Sequence, residues 1–149
     1  MTLELKKFDM RQISFKANDT AGPVIVLIGR RDTGKSYLVR DILYYHQDVP
    51  IGTVISGTEA GNSFYGAHVP KLFIHEEYSS AIIENILKRQ RTCLKQVNRD
   101  IQTYKRSNID PRTFVILDDC LYDAGWTKDK LMRLLFMNGR HWKIMTTIT

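Results

Sequence analysis

The stretch Gly29-Arg30-Arg31-Asp32-Thr33-Gly34-Lys35-Ser36 constrains this chain more than any other. It fits Gly-x4-Gly-Lys-Ser/Thr, and its flanks matter as much as its letters. The apolar run Val24-Ile25-Val26-Leu27-Ile28 precedes it, and a helix-like segment from Lys35 to Tyr45 follows. A buried strand, a glycine turn and a helix N-terminus in that order make a cradle for phosphate. The glycines let the backbone curl until successive N–H groups point inward at anionic oxygens. In such a cradle Lys35 reaches the β- and γ-phosphates, and the Ser36 hydroxyl ligates Mg2+. The plain alternative is a glycine turn that happens to carry a lysine. Arg30, Arg31, Asp32 and Thr33 fill the loop, where the arginines either touch phosphate or are solvated and Asp32 orders the turn. Tyr37 follows Ser36 and is placed either near a nucleotide base or in the core.

A second element completes the expectation of a reacting site. Thr113-Phe114-Val115-Ile116-Leu117 reads as a central strand, with Asp118 and Asp119 at its carboxyl end. Ligands of open parallel sheets bind at that edge. Asp118 is expected to hold Mg2+, directly or through water, and Asp119 to polarise the attacking water. Two adjacent acids after an apolar strand are costly unless a cation or water uses them. The alternative is a strand that simply ends in an Asp-rich turn.

Strands alternate with helices along the rest of the chain, which predicts an α/β domain with a mostly parallel sheet flanked by helices. Phe8 to Phe15 reads as a first strand and Asn18 to Pro23 as a turn. Ile51 to Ser56 is a strand, Gly57 to Pro70 a loop, and Leu72 to Ile74 a short strand. A long helix is predicted from Ser79 to Thr103, and another from Lys128 to Asn138, stopped by Gly139 as a C′ glycine. Lys143 to Ile148 is the last strand. The 149 residues make one domain, with a segment 1–23 leading into a core 24–149. The chain ends inside a strand-like run, so it reads as C-terminally incomplete.

Charge is unevenly spread. Lys88 to Arg112 holds eight basic residues (Lys88, Arg89, Arg91, Lys95, Arg99, Lys105, Arg106 and Arg112) against Asp100 and Asp110, which accounts for the whole net charge of +6. Ile82, Ile83, Ile86, Leu87, Leu94, Val97 and Ile101 fall on one side of the long helix, and Lys88, Arg91, Lys95 and Arg99 on the other. The apolar stripe is expected on the sheet. The basic stripe is either a solvated face or a contact for the phosphate backbone of double-stranded DNA. No aromatic residues interleave with it, so a base-stacking platform is not indicated. No apolar run approaches the roughly 18 residues of a membrane span, and no secretory signal is evident. Cys93 and Cys120 lack metal spacing and are expected as free thiols in a reducing compartment. His46, His68, His75 and His141 form no ligand pattern, and Trp126 and Trp142 are expected in packing. Arg140, after Gly139, is either a catalytic arginine finger for its own or a neighbouring subunit, or a charge at a helix C-terminus.

The loop, Phe-Val-Ile-Leu-Asp-Asp-Cys and Met-Asn-Gly-Arg-His-Trp-Lys-Ile together resemble the genome-packaging ATPases of poxviruses and giant DNA viruses, of the FtsK–HerA superfamily of DNA-pumping motors. The resemblance runs from about Val24 to Thr149. It implies a P-loop NTPase of additional-strand type, with the last strand inserted between those carrying the two motifs. It implies ATP hydrolysis with Mg2+, a homo-oligomeric ring threading double-stranded DNA, docking on a viral capsid or membrane protein, and work at assembly sites in the host cytoplasm or in the virion. Residue by residue, Lys35 and Ser36 become the phosphate and Mg2+ contacts, Asp118 the Mg2+ acid, and Arg140 the suspected arginine finger. Asp119 stands where much of the superfamily has a glutamate, one methylene longer. The polar sensor residue that the family carries at the end of its last strand is expected just beyond Thr149. A small P-loop kinase, with the basic helix as its lid, and a nucleotide-dependent assembly switch are the alternatives.

Overall fold

Alternate residues of the central strands go to opposite faces of one sheet, and both faces are covered. The computed structural model describes Glu4, residues 7–120, Tyr122 and residues 124–149. Its elements are β1 (Val24–Val26), α1 (Lys35–Tyr45), β2 (Ile51–Ser56), α2 (Glu59–Asn62), β3 (Ile74–His75), α3 (Ser80–Tyr104), β4 (Thr113–Asp118), α4 (Lys130–Asn138) and β5 (Ile144–Ile148). All five strands are parallel, in the order β1-β5-β4-β2-β3. The last strand therefore lies between β1 and β4, the placement that the resemblance implies. Val115, Leu117, Ile55 and Ile144 meet Ile83, Ile86 and Leu87 of α3 and Met132 and Leu135 of α4 on one face. Val54, Ile116 and Met145 meet Val39 and Ile42 of α1 on the other. Strands buried on both faces must read as continuous apolar runs, which is why Phe114 to Leu117 carries no polar alternation.

Several boundaries follow local chemistry. Ser79 caps α3 with its side chain and Asp129 caps α4, each accepting a backbone N–H two residues on. The 25 residues of α3 rise about 37 Å, whereas the six of β4 span about 20 Å. The helix starts after β3 at the carboxyl edge of the sheet, so its far half runs past the amino edge. Its inward positions stay buried through Gln90 and are exposed by Ile101. Gln90 is itself fully buried, with its amide nitrogen donating to the carbonyls of Pro111 (2.7 Å) and Trp142 (2.8 Å).

Four expectations need correction. Among the described residues of 1–23 there is no strand. Asp9 accepts the Arg11 N–H and folds Met10–Gln12 into a 3-10 turn, and Phe15 is buried beside Ile42 and Val49. The apolar spacing of this segment serves packing beneath α1, not a sheet. The segment from Gly57 to Pro70 is not all loop: it contains α2 and a 3-10 turn at Tyr65–Ala67. Leu72 belongs to a 3-10 turn at Lys71–Phe73, so β3 begins only at Ile74. Gly139 is right-handed, with φ −55°, and continues into a 3-10 turn through Trp142; Lys143 takes the left-handed position at φ 59°. Gly139 serves close packing instead, since a Cβ there would lie 3.2 Å from Leu135 Cδ1.

Candidate functional site

β1 ends at Val26, although Leu27 N–H still donates to Ile148 O at 2.8 Å. Ile28 is 94% exposed, so the chain has left the sheet before Gly29. The loop then closes on itself. Thr33 Oγ1 donates to Arg30 O at 2.7 Å, and a Cβ on Gly29 would lie 2.6 Å from that hydroxyl. Asp32 takes φ 60° and Gly34 φ 89°, the second a conformation that glycine adopts at no steric cost. Gly34 is the N-cap of α1 and offers no side chain, so the first amides of the helix have no side-chain cap. Those amides and the positive end of the helix dipole define an anion-favouring surface. Lys35 Nζ donates to Gly29 O (2.9 Å) and Arg30 O (2.8 Å), which lays its side chain across the loop and leaves one ammonium hydrogen for a further acceptor.

The facing wall is the carboxyl end of β4. Register puts Asp118 beside Ser56 of β2, and Leu117 beside Ile148 of β5. A cleft of about 830 Å³ lies between the two walls, lined by Gly29, Arg31 to Tyr37, Thr58, Asn62, Asp118, Asp119 and Thr149. Loop and acids, separated by more than eighty residues of chain, are thus brought together. Ser36 and Asp119 are exposed, Lys35 is half-buried, and Asp118 is 9% exposed. Asp119 has a left-handed backbone, φ 47°, which aspartate tolerates better than most residues.

Asp118 is held by two neutral donors. Tyr65 hydroxyl donates to Oδ2 at 2.8 Å, and Thr149 hydroxyl donates to Oδ1. Among the described residues Asp118 has no salt bridge, so its negative charge is not taken up by a neighbouring cation. Each carboxylate oxygen keeps a second lone pair. Burial, and after it the Asp118 charge, raises the Tyr65 phenol far above its usual range, and the same pair of causes pushes the Cys120 thiol up to about 12. Cys120 therefore stays a neutral thiol beside the acids, with no character of a nucleophile. Cys93 and Cys120 are both free.

The other anticipated residues are distributed differently. Arg31 lines the cleft, whereas Arg30 contributes its carbonyl to Lys35 and Thr33. Tyr37 is 64% exposed, with the Arg40 guanidinium 5.0 Å from its ring centre. Arg140 is not brought to the site. It precedes β5, at the amino edge, where its carbonyl accepts from Gly22 N–H. The length of β5, about 16 Å, separates it from the cleft of its own chain. Trp126 and Trp142 pack against the core, and Arg91 stacks 4.7 Å over the Trp142 ring. Arg112 leaves the basic face altogether: it is 4% exposed and bonds Asp110, Asp48 and the carbonyls of Phe15 and Asp48. Lys88, Lys95, Arg99, Lys105 and Arg106 are exposed on α3 and the turn after it.

Sequence reasoning missed Tyr65, Glu59, Thr58 and Asn62, which sit on the segment read as loop. It also missed Thr149 as a partner of Asp118: the Thr149 N–H donates to Leu117 O and its hydroxyl donates to Asp118.

No family model matches the chain, and no solved structure matches it. It is similar to uncharacterized proteins of large viruses. It is 39% identical over 148 residues to uncharacterized protein L437 of Acanthamoeba polyphaga mimivirus, covering 98% of this chain and 49% of that protein. It is 37% identical over 145 residues to uncharacterized protein 075L of Invertebrate iridescent virus 6, covering 95% and 52%. It is 30% identical over 150 residues to uncharacterized protein 088R of Invertebrate iridescent virus 3, covering 97% and 53%. The chain spans about half the length of these curated relatives.

Proposed function

We propose that this chain is a P-loop ATPase that binds ATP with Mg2+ in the cleft between Gly29–Ser36 and Asp118–Asp119, and that hydrolysis drives double-stranded DNA into viral capsids. One observation carries the proposal: an uncapped, glycine-opened helix N-terminus with its lysine faces, across a single cleft, a carboxylate whose partners among the described residues are neutral. The loop amides and Lys35 would bind the β- and γ-phosphates. Ser36 and Asp118 would hold Mg2+, which supplies Lewis-acid stabilisation of the phosphoryl oxygens. Among the described residues no three His, Cys, Asp or Glu side chains cluster as a ready-made metal site. Fewer protein ligands are needed when nucleotide phosphates complete the coordination.

Asp119 would take a hydrogen bond from the attacking water. The water oxygen would bond to the γ-phosphorus as the bond to the bridging β-phosphate oxygen breaks, giving ADP and inorganic phosphate, with the water proton released through Asp119 to solvent. The exposure of Asp119 leaves room for that water. Arg140, remote from its own cleft, would serve as a finger only in the cleft of a neighbouring subunit, which is consistent with a homo-oligomeric ring. The basic overhang of α3 is the surface offered to duplex DNA. It runs past the amino edge of the sheet, whereas the cleft lies at the carboxyl edge, which favours a motor surface over a kinase lid. The viral relatives and the resemblance of the motifs to packaging ATPases support the viral setting.

Steady-state ATP hydrolysis, measured with Mg2+ at several protein concentrations and with or without duplex DNA, tests the proposal. A DNA-stimulated rate that rises faster than protein concentration is expected. A rate indifferent to DNA would remove the translocase and leave the phosphate site. Absence of nucleotide binding would remove both.

A further inference from the structure

The segment between β2 and β3 holds a polar relay that neither motif explains. Glu59 is 9% exposed, and its carboxylate oxygens accept the backbone N–H groups of Tyr65 (2.9 Å) and Gly66 (2.8 Å). This clamp folds the segment back on itself and turns Tyr65 inward. Its side chain is 1% exposed, packed with Val39, Val54, Val69 and Ile116, with the Phe64 ring edge-on at 5.0 Å. From that pocket the hydroxyl reaches Asp118 Oδ2. The hydroxyl hydrogen is directed at that oxygen, so Tyr65 meets the carboxylate as a donor.

A lone aspartate at a strand end turns freely about its last torsion, which is broad and roughly two-fold. Here Tyr65 fixes one oxygen and Thr149 the other. Both donors are uncharged. An arginine or lysine would fix the group equally well but would compete with a metal for its charge. A neutral pin on a buried acid is the arrangement that orients a ligand while preserving its affinity for a cation. The same segment lines the cleft through Thr58 and Asn62, so the clamp joins the cleft wall to the acid.

We propose that Tyr65 is a positioning residue that orients the Asp118 carboxylate for Mg2+, with the Glu59 clamp holding Tyr65 in place; the inference rests on the nucleotide reading above. The test is equilibrium binding of a fluorescent ATP analogue to wild type and Tyr65→Phe, first in EDTA and then at graded free Mg2+. Tyr65→Phe keeps the ring and its packing. Affinity in EDTA is expected to stay close to wild type, while half-saturating Mg2+ rises about 10- to 100-fold, the usual cost of losing a group that orients a metal ligand. Glu59→Gln, which weakens the clamp without touching Asp118, should shift Mg2+ in the same direction and serves if Tyr65→Phe does not fold. An unchanged Mg2+ requirement in a folded variant overturns the role. So does an equal loss with and without Mg2+, which is what packing alone would give. Wild-type protein that binds no analogue in either condition overturns the phosphate-loop reading, and this one with it.

Discussion

Gly57 packs directly against the main chain of Asp119: a Cβ at Gly57 would lie 2.4 Å from the Asp119 carbonyl oxygen. The two residues directly follow the neighbouring strands β2 and β4, and Gly57 N–H also donates to Asp118 O at 3.2 Å. Any side chain at 57 must therefore push the left-handed turn that aims Asp119. Gly57→Ala is expected to lower ATP turnover by about 10- to 100-fold, the scale of a misplacement near 1 Å, while nucleotide affinity changes little. Parallel measurement of kcat and of ATP binding checks this; unchanged kcat would show that the turn absorbs the methyl group.

Lys35 and Asp119 are expected to separate binding from chemistry. Lys35→Ala removes the ammonium that spans the loop and should abolish turnover. Asp119→Asn keeps the size and polarity of the side chain but cannot take up a proton. It should bind ATP as wild type does and fail to hydrolyse it in a single-turnover assay. Retained hydrolysis would mean that Asp119 does not activate the attacking water.

Arg112 ties three segments that are remote in sequence. Its guanidinium bonds Asp110 (2.7 Å) and Asp48 (2.8 Å), together with the carbonyls of Phe15 (2.7 Å) and Asp48 (3.2 Å). Replacing it with leucine leaves the buried Phe15 carbonyl without this donor and the Asp110 carboxylate with only the backbone N–H of residue 112. The expected loss is about 2–4 kcal/mol in urea unfolding. Lysine should recover little, because it lacks the planar fork.

Acid should unfold the chain through particular carboxylates. Hydrogen bonds from Arg112 hold Asp110 below the usual range. Burial works to raise Asp129, but the hydroxyls of Ser80 and Tyr78 and the amides of Leu131 and Met132 outweigh it, so it too is lowered. A carboxyl depressed by folding contributes fully above its unfolded pKa, about 4, and loses that contribution as pH falls through the folded value. Urea midpoints should therefore be insensitive to these two groups from pH 7 to about 5 and fall below about 4. Asp110→Asn should flatten part of that fall.

The overhanging end of α3 gives a test of DNA contact free of the proposed nucleotide cleft. Lys95→Glu with Arg99→Glu should weaken duplex binding and reduce the magnitude of its salt dependence by about two phosphate contacts. Neither residue touches the cleft, so basal ATP hydrolysis should be unchanged. Arg112 is no part of this surface, although it belongs to the same basic run of sequence.

The elements that could be read from the sequence are those whose signal is local. The run from Lys35 to Tyr45 and the strand from Ile51 to Ser56 fall where periodicity and flanking turns put them. The glycine loop and the acidic strand end could be placed because each is specified within a few residues, and the structure adds that they line one cleft. Phe8 to Phe15 misled because alternating apolar residues fit a strand as well as a segment that packs beneath a helix; an Asp9 cap decided between them. Tyr65 and Thr149 were not legible as Asp118 partners, since nothing in a lone Tyr or a terminal Thr marks a bond to a residue 53 or 31 positions away.

The strand order also sets a timetable. β1 has β5 as its neighbour in the sheet, with Val24 opposite Thr146. During synthesis the glycine loop leaves the ribosome early and then waits for nearly the whole of this sequence before the strand beneath it has anything to pair with. Such distant pairing is slow and comes late in folding. A nascent chain would thus carry all the residues of its glycine loop long before that loop has its supporting strand in place, and the nucleotide site proposed here would form only as β5 closes the gap between β1 and β4.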